Sequence, residues 1–237
     1  MTDGMELSKE RLIGLMKQVQ QGDDNAILLL RLRAILALKH IEGGGIFPAY
    51  HLPGVDLAGA DLAGVHMVLS DLEGANLEGA NLERAVLVGS SFRNARLRGA
   101  VLQGAVAADA NFAYADLTEA NLFGIDLTNG NLHGATLTGT VLEQASLWAC
   151  DLVGVKGLEE TQLVHVSRMR GALMPDGRPY TGRYNLPGDF EEIRKDDSVD
   201  MGDPAQVAAW YGVSTLDYVS GQAWAQHRLR KLRGRGR

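Results

Sequence analysis

The sequence predicts an all-β solenoid assembled from repeated strand-and-turn units, and three observations predict it. A five-residue period runs unbroken from Val55 to Gly154, giving twenty units in phase. The third position of the unit is Leu, Met or Phe in nineteen of the twenty, with Ala107 the exception. The first position is small almost throughout, with Ile125 the largest residue there, while the second is usually Asp or Asn and the fifth often Gly.

A period of five fits neither the 3.6-residue period of a helix nor the two-residue alternation of a long strand. Within one unit, however, the first and third positions are two apart. In an extended segment they face the same side and the second faces away. The fourth and fifth positions then form a corner, which Gly and Asn tolerate. Each unit thus turns one small and one large residue inward. The expected core is a column of residues that includes Leu57, Leu62, Leu77, Leu82, Phe92, Phe112, Leu117, Leu132 and Leu152. No unit buries its apolar face alone, so stability comes from stacking on neighbours. Each fully buried leucine contributes roughly 1.5–3 kcal/mol.

The pattern resembles the pentapeptide-repeat family, whose consensus is A(D/N)LXX. Units such as ADLAG, ANLEG and ADLTE carry the resemblance. It implies a right-handed, four-sided β-helix with four units per coil, hence about five coils. At about 4.8 Å per coil the rod is on the order of 25 Å long. The phase continues weakly backwards through Leu52 and Phe47, so the solenoid is expected over residues 45–157. With four units per coil, Phe92 and Phe112 stack in one column, with Leu72 below and Leu132 and Leu152 above.

Outward positions differ between faces. The face of Met67, Leu87, Ala107, Leu127 and Leu147 turns Val68, Leu69, Val86, Val88, Val106 and Trp148 outward, where the other faces carry Asp, Glu, Asn and Arg. A contiguous apolar strip on a solenoid marks a contact surface. The expected occupant is a terminal segment of this chain or a second copy forming a homodimer. The acids at the second position, among them Asp56, Asp61, Asp71, Asp116, Asp126 and Asp151, read first as local turn formers.

The flanks differ in kind. Residues 1–44 read as a helical hairpin: Ser8 caps a first helix, Gly22-Asp23-Asp24 breaks it, and a very apolar second helix runs from about Asn25 to Ile41. Such a hairpin caps an open strand edge. Residues 158–237 form a closing segment with helices. Gly171, Leu173, Pro175, Asp176 and Gly177 resemble the tail of many bacterial pentapeptide-repeat proteins, where this segment closes the last coil. Asp203-Pro204 is an N-cap and N1 pair for a helix to about Tyr211, and Ser214 caps another to about Arg230. Trp210, Tyr211, Tyr218 and Trp224 read as packing anchors.

Charge is unevenly placed. Residues 1–54 hold six acids and six bases; residues 55–154 hold twelve acids and four arginines, net −8; residues 155–237 hold eleven acids and thirteen bases, net +2. The basic end HRLRKLRGRGR reads as a solubilising tail, and nucleic acid is not the expected partner. The start MTDGMELSKE lacks the basic-then-apolar pattern of a leader. The apolar run Ala26–Leu38 is broken by Arg31 and Arg33 and is too short to span a bilayer. One cysteine, Cys150, excludes an intrachain disulfide. The expectation is a cytoplasmic protein with no membrane association.

No catalytic pattern stands out. The six histidines show no paired ligand spacing, and no phosphate loop or nucleophile elbow is present. Cys150 holds a first repeat position and is expected to be buried. No metal, cofactor or catalytic residue is predicted, and an enzyme site near Asp176 or Asp203 would lack convergent partners. The leading expectation is a non-catalytic protein-interaction scaffold of unidentified partner. The alternative comes from the resemblance: some family members imitate duplex DNA and bind type II topoisomerases such as gyrase.

Overall fold

The computed structural model describes residues 49–234. The expected hairpin over residues 1–44 lies outside them, as do residues 45–48 at the start of the expected solenoid.

From His51 to Lys156, parallel bridges join residues twenty apart, for example Asp56 with Asn76, Asn76 with Arg96, and Thr136 with Lys156. Four five-residue units therefore separate each residue from its partner in the next layer. The strands are single bridges rather than long ribbons, because each unit turns after three extended residues. Leu57 N–H donates to the Asn76 carbonyl at 2.7 Å and Gly59 N–H to the Glu78 carbonyl at 2.8 Å. In return Asn76 N–H donates to the Val55 carbonyl at 2.8 Å. Within the unit, the N–H of the next first position closes the corner, as Ala60 does onto Leu57 at 3.0 Å. The fourth-position N–H donates to the second-position side chain, as Glu73 does to Asp71 Oδ1 at 3.0 Å and Ala113 to Asn111 Oδ1 at 3.0 Å. All five backbone donors of such a unit are thus satisfied. The preference for Asp or Asn at the second position has this local cause.

The corner residue at the fifth position has positive φ throughout, from Gly54 at 66° to Gly154 at 69°. A hydrogen-bonded turn with positive φ at its third residue is of type II, which favours Gly or Asn there. Leu69, Arg84, Asp109, Tyr114, Glu119, Gln144 and Ala149 adopt the same conformation without that freedom.

Inside, every third-position residue from Leu57 to Leu152 is at most 2% exposed. Phe92 and Phe112 stack with ring centroids 4.8 Å apart and planes 7° apart. The space bounded by Phe112, Leu117, Leu122, Ile125, Leu127 and Leu132 is too small for a water molecule. Polar first-position residues find internal acceptors: Thr140 Oγ1 donates to the Leu117 carbonyl at 2.8 Å, and Ser90 Oγ donates to that of Met67.

The ladder does not end at 157. It continues through Ser146–Arg168 and Asp151–Leu173, now twenty-two residues apart. The two added residues fall where a helical turn, α1 (Glu160–Leu163), replaces a repeat unit. Gln162 Nε2 donates to the carbonyls of Leu137 and Thr140 at 3.1 and 2.7 Å, and at Thr140 it stands in for the missing next-layer backbone donor. The solenoid thus extends past the boundary expected from the repeat, because the last layer keeps the bridges after losing the consensus.

Leu173 then pairs antiparallel with Pro179, and Met174 N–H donates to the Arg178 carbonyl at 2.8 Å. Helix α2 (Pro187–Ile193) follows, then α3 (Pro204–Tyr211) and α4 (Thr215–Arg233). Asp203 caps α3 through the Ala205 N–H at 2.9 Å, and Gly212 ends it at φ 72°. Ser214 caps α4 through the Asp217 N–H at 3.1 Å. Of these, α2 has no counterpart in the sequence reading, although Pro187 at its first turn is a helix-start signal.

Candidate interaction surface

The expected apolar face is built by two outward columns. At the second position the ladder runs His66, Val86, Val106, Asp126, Ser146. At the fourth position Val68, Val88 and Ala108 stand in successive layers, followed by Thr128 and Trp148. Valine at the second position gives up the side-chain cap of the fourth-position N–H, so these residues trade a local hydrogen bond for apolar surface.

Leu69 is 68% exposed and Val106 40%, while Val68, Val86 and Val88 are half-buried. Leu69 sits at a corner with φ 56° and lies across Gly89: a Cβ built on that glycine would stand 2.6 Å from Leu69 Cδ2. The absence of a side chain at Gly89 is what lets the leucine fold along the face. The strip occupies three layers and stops at Asp109 and Asp126.

Trp148 does not belong to it. A polar layer, Asp126 with Thr128 and Asn129, separates it from Val106. Trp148 is engaged by the closing segment, with Arg168 over its ring at 4.8 Å and Arg170 at 5.9 Å. Arg170 also stacks on Trp210 at 4.1 Å and donates from Nε to the Trp210 carbonyl at 2.7 Å. Trp148 is therefore part of the joint between the rod and α3. Column position alone placed it on the strip, because the sequence does not reveal which distant segment folds over the last layer.

Other outward apolar residues escaped the sequence reading. Tyr114 is 49% exposed, packs edge-on to His133 at 5.6 Å and receives Arg93 at 5.0 Å. Val141 is 43% exposed where α1 interrupts the ladder. On α4, Leu216 and Val219 are exposed.

The acidity of the rod is dispersed and partly paired. Arg96 meets Glu78 at 2.7 Å, Arg98 meets Glu119 at 3.2 Å, Arg93 meets Glu73 at 3.6 Å and Arg84 meets Glu83 at 3.6 Å. All four arginines of the repeat are thus engaged. Exposed pairs of this kind contribute little stability, but they interrupt any continuous negative column.

Chemically reactive groups are not gathered. Cys150 is buried, its thiol donates to the Leu127 carbonyl at 2.7 Å, and burial pushes its pKa up to about 12. Among the described residues no three His, Cys, Asp or Glu side chains are placed to hold a metal ion. No described helix is long and apolar enough to cross a membrane. Asp203 is spent as the α3 cap, and Asp176 accepts the Arg178 N–H at 3.0 Å within its turn. An open groove between the Asp176 turn and the start of α4 is lined by Asp176, Arg178, Tyr180, Arg183, Ser214 and Asp217. Within it Ser214 donates to Asp217 at 2.6 Å, and Arg183 turns to Tyr184 at 2.7 Å and Glu160 at 3.7 Å.

A family model described as pentapeptide repeats matches residues 51–89, 90–129 and 120–156, in eight copies. The chain belongs to the pentapeptide repeat family. Among solved structures it is similar to HetL, a pentapeptide repeat protein involved in heterocyst differentiation regulation from the cyanobacterium Nostoc sp. strain PCC 7120, at 27% identity and a TM-score of 0.28. That match covers 56% of this chain and spans 65% of the length of HetL. It is similar to a pentapeptide repeat protein of the Arabidopsis thaliana thylakoid lumen at 31% identity, covering 58% of this chain and 92% of that one, with a TM-score of 0.27. A third match is QnrB1, a plasmid-mediated fluoroquinolone resistance protein, at 19% identity, covering 55% of this chain and 75% of that one, with a TM-score of 0.41. A comparison with curated proteins gives no match.

Proposed function

We propose that this pentapeptide repeat protein is a non-catalytic, cytoplasmic scaffold that binds another protein through the side of its rod. The finer architecture belongs to the same proposal: a right-handed, four-sided β-helix of about five coils. The carrying observation is the filled interior. Among the described residues, first and third positions are buried from layer to layer, so side chains fill the interior and leave it no room to hold a substrate away from water. Function is left to outward residues, and the outward residues that depart from the polar pattern are Val68, Leu69, Val86, Val88 and Val106.

The topoisomerase reading rests on net charge and on no particular face. The twelve acids are spread over all four faces, and the four arginines among them are paired. Affinity capture with the full chain as bait, compared with a Leu69→Asp, Val106→Asp variant, tests the scaffold reading. A partner retained by the unmodified chain and lost by the variant supports it. Equal capture by both moves the contact off the strip. Inhibition or protection of gyrase in a supercoiling assay at low micromolar protein would replace this reading with the DNA-mimic one.

A further inference from the structure

We infer that the outward face of α4 docks an acidic amphipathic helix of a partner protein. This contact lies on the closing segment, apart from the rod strip, and goes beyond the scaffold reading.

The face is a line of solvent-facing side chains. Leu216, Val219, Ala223, Gln226 and Arg230 recur at alternate spacings of three and four, which places them on one side of the helix. All five are exposed, Leu216 at 75% and Val219 at 46%. The opposite side is already used. Gly221, Ala225 and Leu229 are buried, and a Cβ built on Gly221 would stand 2.7 Å from Thr181 Oγ1. Tyr218 stacks on Tyr211 with centroids 6.1 Å apart, and Trp224 meets Tyr184 edge-on at 5.5 Å. These inner contacts hold α4 to the closing segment, and the outward line has no part in them.

Charge divides the line. After Asp217 the sequence holds no further acid. Arg228 turns to Glu160 at 3.9 Å, and Arg233 donates to the Tyr184 carbonyl at 2.9 Å. Arg230 and Lys231 are exposed and make no ion pair among the described residues. Exposed apolar side chains in the first turns and open cations in the last are complemented by a ligand with apolar side chains at one end and carboxylates at the other. Leu216 and Arg230 stand about 21 Å apart along the axis, which about four turns of a partner helix match. Two other anionic partners fit less well. A nucleic-acid backbone makes no use of Leu216 and Val219, and a long polyanion meets the rod with its net charge of −8. An anionic bilayer surface takes up a helix with apolar residues along its whole length, and here they stop at Ala223.

The test uses the full chain and a labelled synthetic helix that carries leucines on the first half of one face and glutamates on the second half, read by fluorescence anisotropy. Saturable binding is expected. Arg230→Glu with Lys231→Glu is expected to weaken it about tenfold, and so is Leu216→Ser with Val219→Ser. All four residues are exposed, so both variants should keep the urea midpoint of the unmodified chain. Absence of binding, or undiminished binding by either variant, overturns the inference. Labelled duplex DNA and phosphatidylserine vesicles are offered to the unmodified chain alongside the peptide. Tighter binding of DNA or of vesicles than of the peptide assigns the face to that anion and overturns the inference as well. The Leu69→Asp, Val106→Asp variant, which disrupts the rod strip, should bind the peptide as the unmodified chain does. A loss there would place the peptide on the rod and overturn the inference. Failure of the strip and failure of this face are therefore read separately.

Discussion

Replacing Asp189 by asparagine separates the charge of a buried carboxylate from its shape. Asp189 lies on α2, is 1% exposed, and accepts the backbone N–H groups of Met169 and Arg170 at Oδ1, each at 3.1 Å. It thereby ties the closing segment to the last layer of the rod. Its second oxygen is buried and makes no hydrogen bond of ordinary geometry. The Tyr211 hydroxyl is near enough that its own pKa is raised, first by burial and then by this negative charge. Burial outweighs the two N–H donors and the positive charges of Arg168 and Arg170, and lifts the Asp189 pKa from 3.8 to about 6. At about 1.4 kcal/mol per pH unit, that rise corresponds to about 3 kcal/mol. The native state binds the proton more tightly than the unfolded chain. Its stabilising contribution is therefore full below pH 3.8 and is lost as pH rises through about 6. Asparagine keeps the Oδ1 acceptor, carries no charge and does not titrate. In urea unfolding between pH 3 and 7, the stability of the native protein relative to Asp189→Asn should fall by about 3 kcal/mol as pH rises. A gap that instead widened in favour of the native protein as pH rose would refute the reasoning. It would mean that the two N–H donors and the arginines hold the carboxylate charged against its burial.

Other outcomes follow from the core and the joint. Phe112→Ala should cost about 3–5 kcal/mol in urea unfolding and Phe112→Leu less than about 1.5 kcal/mol, because leucine is the residue the column repeats. Arg170→Ala removes stacking on Trp210 and the bond to its carbonyl. It should cost about 2 kcal/mol and shift tryptophan emission to the red, without altering the far-ultraviolet spectrum of the rod. Cys150 should fail to react with a disulfide reagent at pH 8 in the folded protein and react fully in denaturant. Reaction in the folded state would show that the first position of its unit opens to solvent.

Much of the rod is legible in the sequence because its rules are local. Position in the unit decides whether a side chain points in or out, as the burial of Leu57, Phe92 and Leu152 shows. The Phe92–Phe112 contact follows once four units make a layer. The candidate strip was legible in part. Val68, Leu69, Val86, Val88 and Val106 share a face, but Trp148 is taken by Arg168 and Arg170 from beyond the repeat. The lengthening of the last layer to twenty-two residues was not legible, since α1 replaces a unit without keeping its consensus. Nor was Asp189, one of eleven acids after residue 154.

What the sequence by itself determined is the repeating unit and its chemistry: a small and a large residue inward, Asp or Asn to cap the fourth-position N–H, and a corner at positive φ. These are contacts within five residues, and five residues suffice to specify them. What only the tertiary structure decided is how the rod ends and what lies against it. Gln162 replaces a backbone partner for Thr140, Asp189 anchors α2 to Met169 and Arg170, and Trp148 leaves the apolar face for an arginine stack. Those contacts join residues about nineteen to twenty-five apart, through side chains of the closing segment rather than through the repeat. Their geometry depends on how the closing segment folds over the last layer, which no period in the chain encodes.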